Sequence, residues 1–165
     1  MTSIIKVDQI QNTAGGVPTA SDLGLNVSGS VLDHYYMQYG VYTSLSSQTY
    51  TDSNLTLTVT PKSATSKYIL SYNTFFYLPN NGATWAAAFG RIMRDSTAIR
   101  TDEYTLGRGA SYQSAQMKIT SDTYVDAPNT TSSVTYKVQF ASYTGTIYMH
   151  YSDQKGFLSI TEIAG

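Results

Sequence analysis

Between positions 55 and 70 the chain reads LTLTVTPKSATSKYIL, with Leu55, Leu57 and Val59 alternating with Thr56, Thr58 and Thr60. A period of two puts successive side chains on opposite faces, so this stretch predicts a strand with one buried and one wet face. Pro61 removes a ladder donor and ends the strand, and residues 62–67 supply a polar connection. Tyr68, Leu70 and Tyr72 then open a second strand. A similar unit follows later as DAPNTTSSVTYKVQF. There 126–133 predicts a turn, after which Val134, Tyr136, Val138 and Phe140 alternate with Thr135, Lys137, Gln139 and Ala141.

The stretch 31–42 alternates too, but both of its rows are apolar or aromatic. Val31, Tyr35, Met37, Tyr39 and Val41 form one row; Leu32, Tyr36 and Tyr42 stand in the other. Such a strand needs cover on two sides. The domain core meets one side and the other calls for a partner, so Tyr35, Tyr36, Tyr39 and Tyr42 are the candidate interface residues. A buried aromatic removes about 150 to 250 Å² from water, whereas an exposed ion pair contributes about 0 to 1 kcal/mol. Association through these rings is therefore expected to be nearly indifferent to salt.

Residues 44–54 read as a polar loop and 79–83 as a turn. TWAAAFGRIMRDS contains good helix formers, yet Gly90 in its middle, the lack of a 3.6-residue apolar stripe and its place between β signals predict a strand. Residues 99–112, with Gly107 and Gly109 around Arg108, read as a long exposed loop or short hairpin. Ala115, Met117 and Ile119 alternate as another strand, as do Ile147, Met149 and Tyr151. The nearly continuous apolar run 156–163 is expected centrally in a sheet. Some eight to ten short strands at regular spacing predict an all-β sandwich or jelly roll over 31–165.

TVTPKSATSKYIL, DAPNTTSSVTYKVQ and the closing FLSITEIAG resemble recurring signatures of small fibre-type structural proteins of phages, especially phages of cyanobacteria and marine bacteria. The likeness runs over roughly 55–165. It implies a homotrimer of jelly-roll heads similar to the tumour-necrosis-factor and complement C1q head domains. KVDQIQNTAGG is similar to the N-terminal segment by which such proteins attach to a larger assembly. Residues 1–30 are accordingly expected to be a virion-attachment or intertwining segment, with Ile4, Ile5, Val7 and Ile10 as its apolar cluster. The implied location is the virion, as a tail fibre or similar appendage, with a head-mounted decoration protein as the alternative.

Composition narrows the partners. Charged residues are only 13% of the chain and the net charge is −1, while Ser and Thr supply about a quarter of all residues. With no basic run there is nothing to neutralise a phosphate backbone or hold an anionic membrane surface, so neither nucleic acid nor membrane is expected. Cysteine is absent, which excludes disulfides and thiolate metal sites. The first residues lack the apolar core of a secretory signal, and no run approaches transmembrane length. Asn26, Asn54 and Asn129 stand in N-x-S/T sequons, which a chain this rich in Ser and Thr produces by chance.

Catalytic patterns are sparse, and no enzyme activity or cofactor is expected. His34 and His150 are each read as lone strand residues without a second ligand at metal spacing. Asp33 and His34, as strand neighbours, point to opposite faces and cannot form a triad. Asp102 and Glu103 are the only adjacent acids, more in keeping with solvated charges than with a glycosidase pair, although a glycan-degrading enzyme is the remaining alternative. Binding is better supported. Fifteen Tyr, one Trp and many neutral hydroxyls and amides suit a host-surface glycan, with Trp85, Arg108 and Tyr112 as candidate contacts.

Overall fold

The computed structural model describes residues 11, 14–18, 28–79, 87–102 and 115–165. Ile4, Ile5, Val7 and Ile10 of the expected attachment segment lie outside the described residues, as do Trp85, Arg108 and Tyr112.

The described chain is built of strands: β1 (Val31–Tyr39), β2 (Thr43–Leu45), β3 (Thr51–Val59), β4 (Lys67–Leu78), β5 (Ala87–Arg94), β6 (Thr97–Asp102), β7 (Gln116–Asp126), β8 (Val134–Thr144), β9 (Ile147–Met149) and β10 (Gly156–Ile163). A 3-10 turn at Tyr151–Asp153 joins the last two. All pairings are antiparallel. In the first sheet β4 pairs with β7 along one edge. Its other edge is shared by β10, which carries β1, and by β9, which carries β2. The second sheet runs β3-β8-β5-β6.

The two sheets bury one common core. Tyr68, Leu70, Tyr72, Phe76 and Leu78 of β4 meet Tyr136, Val138 and Phe140 of β8, with Leu55, Ile92, Leu158 and Ile160 packed among them. Phe140 stands edge-on to both Phe76 (5.0 Å) and Tyr72 (5.9 Å), an arrangement aromatic quadrupoles favour. The strict alternation in β4 and β8 predicted from sequence is thus the inward-facing half of the core. The expected strand at the alanine-rich segment is β5, and β10 lies inside its sheet between β1 and β4.

Three local expectations need correction. The polar stretch 44–54 holds β2 and the start of β3, where Thr51 and Asp52 pair with Phe140 and Gln139. Residues 99–102 belong to β6, a strand whose only partly buried apolar residue is Ile99, so it carries almost no period-two signal. Tyr151 does not continue β9, because His150 takes a left-handed backbone (φ 54°) and turns the chain. His150 is accordingly a fully buried turn residue and not a strand residue.

The ends of the sandwich differ. At one end Gly29 donates to the Ala164 carbonyl (2.7 Å) and Ala164 to Ser30 (2.8 Å). Both termini of the sandwich therefore meet there, beside the β3–β4 and β7–β8 connections. At the opposite end β4 stops and β5 starts, and β6 stops and β7 starts.

Candidate functional site

The outward faces of the two sheets are chemically unlike. On the second sheet charges are frequent: Lys137 pairs with Asp52 at 3.3 Å, and Arg91 donates to Gln139 Oε1 at 2.7 Å. The Arg91 guanidinium also lies 4.0 Å from the centroid of the Tyr50 ring. On the first sheet the outward row of β4 is Ile69, Ser71, Asn73, Phe75 and Tyr77, opposite Val125, Thr123, Ser121, Ile119 and Met117 of β7. Across the other edge come Phe157, Ser159 and Thr161 of β10 and then Gln38, Tyr36 and His34 of β1. From Ile69 to Tyr77 no outward position on these four strands bears a carboxylate, ammonium or guanidinium.

This face is held by short-range pairs. His34 Nδ1 and Thr161 Oγ1 are 2.9 Å apart and Ser71 and Thr123 hydroxyls 3.1 Å, while the Tyr36 and Phe157 rings lie 5.9 Å apart. At its far end four tyrosines pack together: Tyr42 on Tyr148 (5.3 Å), Tyr148 beside Tyr77 (6.0 Å) and Tyr77 on Tyr151 (4.1 Å). The Tyr42 phenol is raised above its ordinary pKa by burial first and by the neighbouring Tyr148 second. Large apolar residues nonetheless stay open to solvent across the face: Ile119 (62% exposed), Tyr36 (53%), Val125 (53%) and Met117 (51%), with Val31 (65%) just beyond it, level with Lys67.

The four tyrosines expected at an interface divide between two faces. Tyr35 and Tyr39 point inward and pack on the chain's own core, so their cover is intramolecular. Tyr36 and Tyr42 lie on the outward face. The rest of that face was not singled out from sequence: Met117, Ile119 and Val125 come from β7, and Tyr77 and Tyr148 from β4 and β9. The Met117–Ile119 alternation was visible, but nothing local says which of its two rows turns outward.

Several acidic residues are absorbed into structure, while Glu103 lies outside the described residues. Asp33, Glu162, Tyr68 and Asp126 line up across β1, β10, β4 and β7 on the inward face near the termini. Asp33 pairs with Lys62 at 3.0 Å, and that hydrogen bond is the chief reason its carboxyl sits below the usual range. Buried Glu162 accepts the Lys62 backbone N–H at 2.7 Å. At the sandwich edge Arg100 bridges Asp102 (2.8 Å) and Asp122 (3.3 Å). Burial, and secondarily the Asp122 carboxylate, push Asp102 upward. The guanidinium already supplies the counter-charge for this pair, so it ties β6 to β7. Among the described residues no group of three or more His, Asp or Glu is placed to hold a metal ion.

No protein-family model matches the chain, and no curated protein matches it. Fold and surface together define an antiparallel β-sandwich with one charged, self-paired outer face and one uncharged, partly aromatic outer face.

Proposed function

We propose that this is a structural virion protein of a phage, a fibre head that assembles as a homotrimer through the outward face of the β1-β10-β4-β7 sheet. The observation that carries the reading is the contrast between the two outer faces. A face that bears no charge on four strands from Ile69 to Tyr77, with Tyr36, Met117, Ile119 and Val125 half-exposed within it, is unusual for a surface meant to stay in water. Three copies meeting at a threefold axis would cover it in each of them.

The fold agrees with a jelly roll. Taking only the eight longer strands in chain order, the sheets run first-eighth-third-sixth and second-seventh-fourth-fifth, the arrangement of two interleaved Greek keys. The polarity of the sandwich supports the fibre geometry. An attachment segment before residue 28 would leave from the end where Gly29 and Ala164 pair, and host contact, for which Trp85, Arg108 and Tyr112 are the candidates, would fall away from that end. Its action would be geometric, holding heads outward from a particle, with glycan contact at their tips.

Two measurements test this. Light scattering should give three times the 18.0 kDa chain mass, unchanged between low and high salt. A doubly substituted outer face, Ile119→Glu with Val125→Glu, should give a folded monomer. A wild-type monomer at micromolar concentration would overturn the trimer. Immunogold labelling should place the protein on phage particles, and its absence from them would overturn the virion assignment.

A further inference from the structure

The turn joining β9 to β10 is held in an uncommon conformation around one buried ring. His150, Ser152 and Asp153 all have positive φ (54°, 57° and 59°), three non-glycine residues in four positions. Left-handed backbone of this kind is disfavoured for ordinary side chains and persists when surrounding contacts impose it. Here those contacts centre on His150. Its backbone N–H donates to the Phe75 carbonyl at 2.8 Å. Its ring is wholly buried, stands edge-on to Tyr39 with centroids 5.6 Å apart, and has Nε2 3.4 Å from the Ser53 carbonyl. Its Nδ1 has no hydrogen-bond partner among the described residues. The next residue, Tyr151, stacks on Tyr77 at 4.1 Å.

We propose that His150 is an acid-operated latch on this turn. The surroundings decide the direction. From β1 the ring meets the Tyr39 phenol group, from β3 and from the turn itself the backbone of Ser53 and Gln154, and from β10 the backbone of Gly156. The charged neighbours in sequence, Asp153 and Lys155, are exposed to solvent. Among the described residues no carboxylate therefore compensates an imidazolium at this position, and burial holds the ring's pKa below its ordinary value against the smaller opposing effect of the two backbone groups. A proton is taken up only when the turn opens and the ring reaches water. With an ordinary histidine pKa of about 6.5, the closed turn is fully favoured above that pH. As pH falls below it, the opened population rises by up to about tenfold per unit, until the closed form itself can be protonated. Opening would separate Tyr151 from Tyr77 and break up the tyrosine cluster. The latch rests on the intrachain packing and not on the proposed assembly.

The test is hydrogen exchange of the amides of residues 150–155 in the intact protein at pH 7.5 and 5.5, corrected for the intrinsic pH dependence of exchange. Protection should fall by about tenfold for the pH unit below 6.5 in the wild type and in His34→Asn, and should be pH-independent in His150→Asn, whose side chain tolerates positive φ without titrating. Equal corrected protection at both pH values in the wild type would overturn the latch. If His150→Asn does not fold, proton NMR of the two histidines decides. A His150 ring that titrates at or above 6.5, with the turn still closed, overturns it; one that stays neutral until the turn opens supports it.

Discussion

Arg94 on β5 reaches across the sandwich to Asp126 at the end of β7, with Nη1 3.0 Å from each carboxylate oxygen. The same carboxylate accepts the Tyr136 hydroxyl at 2.6 Å. The two sheets are thereby tied near the termini by a charge-assisted network, as β6 and β7 are tied at the sandwich edge by Arg100 and Asp122. The Asp126 side chain is 9% exposed and that of Arg94 29%, so water screens the pair only in part.

Removing one partner should cost far more than a surface ion pair would. Arg94→Met leaves the carboxylate buried without its cation and should destabilise the fold by about 3 kcal/mol. Chemical denaturation should show the loss, and replacing Asp126 with Asn in the same chain should recover part of it, because the uncompensated charge is then gone.

Alkali should unfold the protein through its buried phenols. Tyr136 is pushed up by burial and then by its bond to Asp126; Tyr68 and Tyr72 are pushed up chiefly by burial. The unfolded chain ionises these phenols near pH 10 while the folded one does not. Stability present below pH 10 is therefore lost as pH rises beyond it. Tyrosinate absorbance of these residues should appear together with the loss of near-ultraviolet circular dichroism, and a separate, earlier rise at all fifteen tyrosines would contradict this.

Gly156 is a position where no side chain fits. A Cβ there would sit 2.6 Å from the Asn73 carbonyl oxygen and 3.0 Å from His150 Cε1. Backbone would have to move, so Gly156→Ala should cost about 1 to 3 kcal/mol as an overpacking substitution. The midpoint of thermal unfolding should fall, with hydrogen exchange fastest around β10 and the adjoining turn.

Phe140 is the ring on which the aromatic core converges. Phe140→Ala removes its contacts with both Phe76 and Tyr72 and should destabilise by about 3 to 5 kcal/mol. Urea denaturation should show a lower midpoint with an unchanged slope.

The class of the fold and the inward rows of β4, β8 and β10 could be read along the chain. Each of these strands buries a face of its own, so hydrophobicity must alternate or run continuously there. β6 was hidden because it is an edge strand with little to bury. The end of β9 was hidden because a single left-handed residue stops it, and histidine does not announce that backbone as glycine would. Of the four tyrosines expected at an interface, Tyr35, Tyr36 and Tyr39 lie on β1 and Tyr42 lies past its end, and sequence could not assign the faces of that strand. Tyr35 and Tyr36 look alike locally, and only pairing with Ile160 and Ser159 of β10 turns one inward and the other out.

The sequence by itself determined that this chain is made of antiparallel strands, because period-two patterning, hydroxyl-rich wet rows and turn residues act within a few positions of one another. Tertiary structure alone decided the rest. The uncharged face is assembled from β1, β4, β7, β9 and β10, whose paired residues lie as much as 127 positions apart. The burial of His150 depends on Tyr39, Ser53 and Phe75 arriving from three different strands. Such properties arise from side chains brought together by register and sheet packing, and no local pattern encodes which distant rows will share a surface.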